Sequence, residues 1–240
     1  MSEYISVCIP IWNRKEFLPF ILRNVMIQDY PKELMEIIID DDSVEGQELF
    51  NNKEQLEAFK KIVSPMKVKY LRYNYKRTIG KKRNNMVIKA SYDTIAMMDS
   101  DDLYCRTYLS HSLEILKEKK VGMVGINNMI MLYPPYSNKD FYYLYTGKNK
   151  RLIHECSMVF TKSFWRKSPK FDDSSRGEGL KILRNINKVA ITDPIKVMIQ
   201  ICHSNNTVNK DEFKQNPIDV IEIDEELIEL IKEVVNYRKI

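Results

Sequence analysis

Cysteine is scarce in this 240-residue chain, and its four copies, Cys8, Cys105, Cys156 and Cys202, form no C-x-x-C pair. That scatter argues against a zinc ribbon or a disulfide framework and suits reduced thiols in a cytosol-like compartment. Long apolar runs are missing as well: no stretch approaches the roughly 18 to 20 residues of a membrane span. The opening Met1-Ser2-Glu3-Tyr4 lacks the basic start and apolar core of a secretory signal. A soluble, cytoplasmic protein without a transmembrane segment is the expectation. Glycine is sparse too, and none falls between residues 10 and 20, where a phosphate-cradling loop would follow a first strand. Acidic residues are absent from 60–89, which holds eleven Lys/Arg.

What is present fits one globular body. Hydrophobic residues make up 44% and charged residues 30%, ordinary values for a soluble domain that can bury a sizeable core. The net charge of +5 is uneven: residues 211–240 carry nine acids against four bases, a local −5, leaving about +10 on the rest. A basic block of this kind can meet nucleic acid or a phosphate ligand, or be a solvated face.

Apolar runs and periodicity predict alternating strands and helices through the first half. Strands are expected at Ile5–Pro10, Glu36–Ile39, Val68–Tyr73, Asp93–Met98 and Val121–Ile126. A helix bearing Phe17, Ile21 and Val25 should follow the first strand, with Pro19 in its first turn. Further helices are expected at 45–63, 81–91 and 107–119. Such alternation marks a mostly parallel sheet covered on both faces, where ligands bind beyond the carboxyl ends of the strands. After 127 the pattern changes. The Tyr- and Asn-rich 132–150 reads as irregular or a hairpin, 157–160 and 195–202 as strands, 176–187 as a short helix, and the tail from Pro217 as an amphipathic helix. That helix could dock on the body or pair with a second copy, a possible homodimer.

Three strands end in polar residues. Asp99-Ser100-Asp101-Asp102 places three carboxylates at the end of an apolar strand, and their mutual repulsion is best offset by a cation. All-oxygen ligation suits Mg²⁺ or Mn²⁺. In Asp40-Asp41-Asp42-Ser43, Asp41 is the expected ligand-facing acid, able to accept from a base imide or a ribose hydroxyl, while Asp42 and Ser43 suit a helix cap. Arg83, just after Gly80, could pair with a phosphate, with Lys81 and Lys82 solvated. Trp12 could stack on a base, with Asn13 beside it. His111 and His154 read as structural.

Val7 to Arg14, Glu36 to Ser43, Gly80 with Arg83-Asn84, and Met98 to Asp102 follow one another in the manner of the blocks of family-2 glycosyltransferases, and the chain resembles that family over about 4–125 and more weakly over 150–210. The resemblance implies an α/β fold of GT-A type, a Rossmann-like, mostly parallel sheet flanked by helices. It implies a domain over 1–210, with a nucleotide-sugar half at 1–126 and an acceptor half at 127–210, followed by a helical extension at 211–240. Pro10, Trp12, Asn13, Arg14, Asp41, Arg83, Asp99, Ser100 and Asp101 would bind the nucleotide sugar. Asp99, Asp101 and Asp102 would hold the metal, with His203, in His203-Ser204-Asn205-Asn206-Thr207, near it. Glu178 would be the catalytic base with Asp173 second, because Gly179 stands where a second acid is usual.

The implied reaction moves a sugar from a nucleoside diphosphate, UDP foremost, to a hydroxyl of a glycan, protein or lipid with inversion. Cation and guanidinium would stabilise the departing charge, and a carboxylate would take the acceptor proton. A sugar-phosphate nucleotidylyltransferase is the rival enzyme, disfavoured by the missing Gly-rich loop. A nucleic-acid-binding module on 60–89 is the non-enzymatic rival, disfavoured by the acidic clusters on the sheet edge.

Overall fold

The computed structural model describes residues 3–184, 186–204, 206–207, 209–219 and 221–236. Met1 and Ser2, Asn185 within the expected 176–187 helix, and Asn205 of the His203 segment lie outside the described residues.

Strand β1 (Ile5–Ile11) leads through a 3₁₀ turn into helix α1 (Leu18–Met26), with Pro19 in its first turn. Strand β2 (Met35–Asp41), helix α2 (Lys53–Ile62), strand β3 (Lys67–Arg72), helix α3 (Ile79–Lys89) and strand β4 (Thr94–Met97) continue the alternation. Short β5 (Leu103–Tyr104), helix α4 (Tyr108–Glu118) and β6 (Met123–Gly125) follow. The second half contributes β7 (Met129–Leu132), β8 (Phe141–Leu144), β9 (Val159–Thr161), α5 (Lys162–Lys167), β10 (Val189–Ile191), β11 (Met198–Ile201) and α6 (Glu225–Asn236).

Seven strands form one sheet in the order β10-β6-β9-β4-β1-β2-β3. It is parallel except at β9, which runs antiparallel between β4 and β6. The strands at its centre are buried on both faces: all seven residues of β2 are buried. This explains their unbroken apolar runs, since a strand covered on two sides has no polar face to alternate with. A second sheet, β5-β11-β7-β8, was not anticipated. Its β7–β8 hairpin accounts for the irregular 132–150 stretch.

The predicted helix at 45–63 is corrected to 53–62. Both oxygens of Asp41 capture backbone N–H groups, Ser43 at 2.9 Å and Leu49 at 2.8 Å, which holds 42–49 as a loop. The cap is Asn52, whose side chain accepts from Gln55 N at 2.9 Å, so Asp42 and Ser43 do not cap this helix. The predicted helix at 176–187 is also corrected. Gly177 has φ +62°, and a Cβ at Gly179 would fall 2.6 Å from Glu155 Cγ. The described part of the segment is turns and short 3₁₀ pieces.

Helix α6 docks on the second sheet of its own chain. Leu227, Ile231 and Val234 join Phe17, Phe20, Leu132, Phe141 and Ile201 in one apolar cluster. The joint is apolar: the helix's Lys232–Glu229 ion pair stays within the helix. No helix among the described residues is long and apolar enough to cross a membrane.

Candidate functional site

A cavity of about 300 Å³ opens beyond the carboxyl ends of β1 and β4, lined by Pro10, Trp12, Arg14, Arg83 and the Asp99–Asp102 segment. The second half closes it with His154, Glu155, Cys156 and Glu178. Parallel strands end together on one edge, so residues 90 positions apart in sequence meet there.

The turn after β1 depends on Asn13. Its φ of +51° lies in the left-handed region, which asparagine tolerates better than most residues. Its N–H donates to Ser43 Oγ at 2.8 Å and its Oδ1 accepts from Val44 N at 3.0 Å. Asn13 therefore staples the β1 and β2 ends together. Trp12 faces the cavity, with Lys76 Nζ 4.4 Å above its ring.

Asp41 does not line the cavity. It is 0% exposed, and Tyr70 OH donates to its Oδ2 at 2.7 Å in addition to the two backbone bonds. Its carboxylate is fully committed inside the protein, so the expected ligand contact is replaced by a loop-ordering role. Its neighbours are equally occupied. Asp40 pairs with Arg77 and accepts from Asn85 Nδ2 at 2.7 Å, and burial raises its pKa to about 6. Asp42 takes Lys82 Nζ at 2.6 Å and Arg77 N at 2.6 Å. Lys82, expected in solvent, is thus buried; its ammonium also donates to the Ile11 carbonyl at 2.8 Å.

Arg83 is the hub. Its Nε donates to Glu178 Oε1 and its second terminal nitrogen to Asp99 Oδ1, each at 3.0 Å. Burial opposes its charge, but Asp99 and Glu178 outweigh that and raise its pKa. The third nitrogen, Nη1, is buried and lacks a hydrogen-bond partner. Gly80 makes this hub possible: a Cβ there would overlap the Asp172 carbonyl oxygen. Only glycine lets the start of α3 approach the 172–178 loop closely enough.

The three aspartates divide. Burial would raise Asp101, but Arg14 at 3.1 Å and His203 Nε2 at 3.3 Å hold it well below the usual carboxylate range. The His203 side chain is buried, its ring tilted against that of Phe17 with centroids 5.5 Å apart. Burial raises both Asp99 and Asp102, and Asp101 adds repulsion to each. Asp102 Oδ1 accepts from Ile201 N at 3.1 Å. Ligand atoms of Asp99, Asp102 and Cys156 lie within 4.8 Å of one another. Two oxygen donors with raised proton affinity fit a hard divalent cation, which would offset the charge crowding. Cys156 fits less well: burial and both aspartates push its thiol well above the usual range, so it stays protonated. Asp101 and His203, expected near the metal, are paired with each other and would have to exchange that contact to ligate.

Of the two expected base candidates, Glu178 is in the cavity, 4% exposed and tied to Arg83. Asp173 is outside it, exposed and bonded to Lys81 at 2.9 Å and Thr78 Oγ1 at 2.7 Å. Sequence reasoning missed Lys76, Arg77, Glu155 and Lys210 as lining residues. The basic block signalled the first two; Glu155 and Lys210 carried no local signal. Ser100 lines the cavity, and Pro10 forms part of its floor.

Comparison with known proteins identifies the family and the fold. The family described as Glycosyl transferase family 2 matches residues 6–168, more than half of the chain. Glycosyltransferase GlyG of Streptococcus pneumoniae is 28% identical over 151 residues, covering 62% of this chain and 46% of that protein. The chain thus spans about half the length of the curated relatives it matches. Among solved structures, mannosyltransferase PcManGT from Pyrobaculum calidifontis in complex with GDP-Man and Mn²⁺ aligns with a TM-score of 0.62 at 16% identity, covering 85% of this chain and 59% of that one. S. aureus TarS in complex with UDP gives 0.62 at 14% identity, covering 83% and 61%. Likeness at such identity is likeness of fold, and the mostly parallel sheet with its flanking helices is of GT-A type. With its motifs in order, its strand ends converging on one acidic and basic cavity, and more than half its length matched, the chain belongs to glycosyl transferase family 2.

Proposed function

We propose that the protein transfers a sugar from a nucleoside-diphosphate donor, UDP-linked foremost, to a hydroxyl acceptor on a glycan, protein or lipid, with metal assistance and inversion. One observation carries the reading: the cavity sets the Asp99–Asp102 carboxylates beside Arg83, Lys82, Arg77 and Lys76. A diphosphate carried with a divalent cation would call for both signs of charge in one cavity. PcManGT, of the same fold, is described with GDP-Man and Mn²⁺, and TarS with UDP.

In this reading Asp99 and Asp102 would hold Mn²⁺ or Mg²⁺, which when bound would supply Lewis-acid stabilisation of the departing diphosphate. Arg83, anchored by Asp99 and Glu178, presents its unpartnered Nη1 to phosphate oxygen or a sugar hydroxyl. Trp12 and Lys76 offer a stacking face to the base. Pro10 and Asn13 shape that end of the site, and Arg14 sets the position of Asp101. Asp41 acts from behind by ordering the 42–49 loop. Attack opposite the leaving diphosphate inverts the anomeric centre, provided the acceptor enters from the second-half wall.

A panel of UDP-, TDP- and GDP-sugars, with and without Mn²⁺, tests the reading by thermal shift and donor hydrolysis. Stabilisation of about 2.7 kcal/mol is expected at a ligand concentration of roughly 100 Kd, and Asp99→Asn should remove its Mn²⁺-dependent part. A melting temperature indifferent to every nucleotide would overturn the proposal.

A further inference from the structure

We propose that Glu155 is the catalytic base, a role that rests on the glycosyl-transfer reading above. Five carboxylates line the cavity: Asp99, Asp101, Asp102, Glu155 and Glu178. Four of them are committed. Asp99 and Glu178 share Arg83, Asp101 is paired with Arg14 and His203, and Asp102 is buried beside Asp99 in the cluster suited to a cation. A carboxylate already paired with a guanidinium must weaken that pairing when it takes a proton. Among the described residues, Glu155 alone of these five has neither a cationic partner within salt-bridge distance nor a place in the metal cluster.

Its geometry suits the task. Oε1 accepts one neutral hydrogen bond, from Gly179 N at 2.9 Å. That bond ties one carboxylate oxygen of this cavity-lining residue to the second-half wall and leaves Oε2 for the acceptor proton. Gly179 is a requirement of the arrangement, because a Cβ there would stand 2.6 Å from Glu155 Cγ and 2.8 Å from Oε1. Glu155 also opens the 3₁₀ turn that leads into β9, the strand inserted in the main sheet. Its backbone is therefore anchored in the core rather than in a surface loop, as a group aimed at a reacting atom needs to be.

The step balances without a further reactant. The acceptor oxygen forms its bond to the anomeric carbon while its proton passes to Glu155 Oε2. The bond from that carbon to the diphosphate oxygen breaks, and the leaving diphosphate takes the electron pair.

The experiment compares the full chain with Glu155→Gln, Glu178→Gln and Gly179→Ala, using water as acceptor. Each is measured for UDP-induced thermal shift with Mn²⁺ and for hydrolysis of the UDP-sugar that stabilises the wild type most. Glu155→Gln keeps the bond to Gly179 N and should keep the UDP shift, while its hydrolysis rate falls about 10²–10⁴-fold. Gly179→Ala, which retains the carboxylate but displaces it, should show the same split. A Glu155→Gln rate within about threefold of wild type, well short of a general-base effect, overturns the proposal, as does a UDP shift lost together with the rate. An active wild type in which only Glu178→Gln loses hydrolysis assigns the base to Glu178 and leaves the transfer reading standing. A wild type that binds no nucleotide defeats the transfer reading, and the role of Glu155 with it.

Discussion

His154 sits in the cavity wall with Nε2 3.1 Å from the Asn127 carbonyl. Burial, with Lys210 nearby, pushes its pKa down from 6.5 to about 4. As pH falls the unfolded chain takes the proton first, so the stability contributed by neutral His154 is complete above about pH 6.5 and is lost on acidification toward pH 4. Asp40 has the opposite sign: burial raises it to about 6, and its ionisation weakens the fold as pH climbs from about 4 to 6. Replacing His154 by Gln, whose amide can still donate to Asn127, should flatten the decline in melting temperature between about pH 6.5 and 5. Melts across that range check this, and an unaltered slope would assign the acid sensitivity elsewhere. Residue roles were legible only in part. Arg83 and the Asp99–Asp102 cluster follow from residue type at strand and helix ends. The commitments of Lys82 and Asp101 do not, because each depends on a partner at least 40 positions away, and Asp41 adds Tyr70, 29 positions away, to its local bonds.

At the level of elements, length decided what could be read. Strands β1, β2 and β4 are apolar runs ending in charged residues, and periodicity exposes α1, α3 and α4. Strands β5 and β10, of two and three residues, are too short to show any period. The start of α2 was misplaced because Asp41 competes for the amides of the expected first turns. Helix α6 was visible as an amphipathic stripe, and its docking now predicts a cost. Ile231 is 0% exposed among Phe, Ile and Leu side chains, so Ile231→Ala should cost about 2–5 kcal/mol, measured by chemical denaturation. Truncation after residue 216 should uncover the same apolar face of the second sheet. A truncated chain that is equally soluble and equally stable would show that the helix contributes nothing to the body.

Across the whole molecule the basic block loses its apparent freedom. Of its eleven cations, seven meet carboxylates: Lys60, Lys69, Arg72, Arg77, Lys81, Lys82 and Arg83. Much of the positive field visible in the linear sequence is neutralised once Glu36, Asp40, Asp42 and Asp99 are folded against it. Random RNA should accordingly give no gel shift even at about 50 mM salt, where phosphate-driven binding is strong. A salt-dependent shift would revive a nucleic-acid role for this face. The cavity draws on both halves of the chain, Arg14 and Asp99 from one and Glu155 and Glu178 from the other, with His203 behind it on Asp101. Local pattern reveals the first set because it sits directly at apolar strand ends, whereas Glu155 and Glu178 arrive on turns whose placement depends on the tertiary fold.

The antiparallel β9 wedged between β4 and β6 imposes an order on biosynthesis. Once residue 126 has been made, β4 still has one unpaired edge, and β6 has neither of its sheet neighbours, β9 and β10. Residues up to 161 must therefore be made before β6 can join β4 through β9, and until then the free edge of β4 is open to wrong pairing.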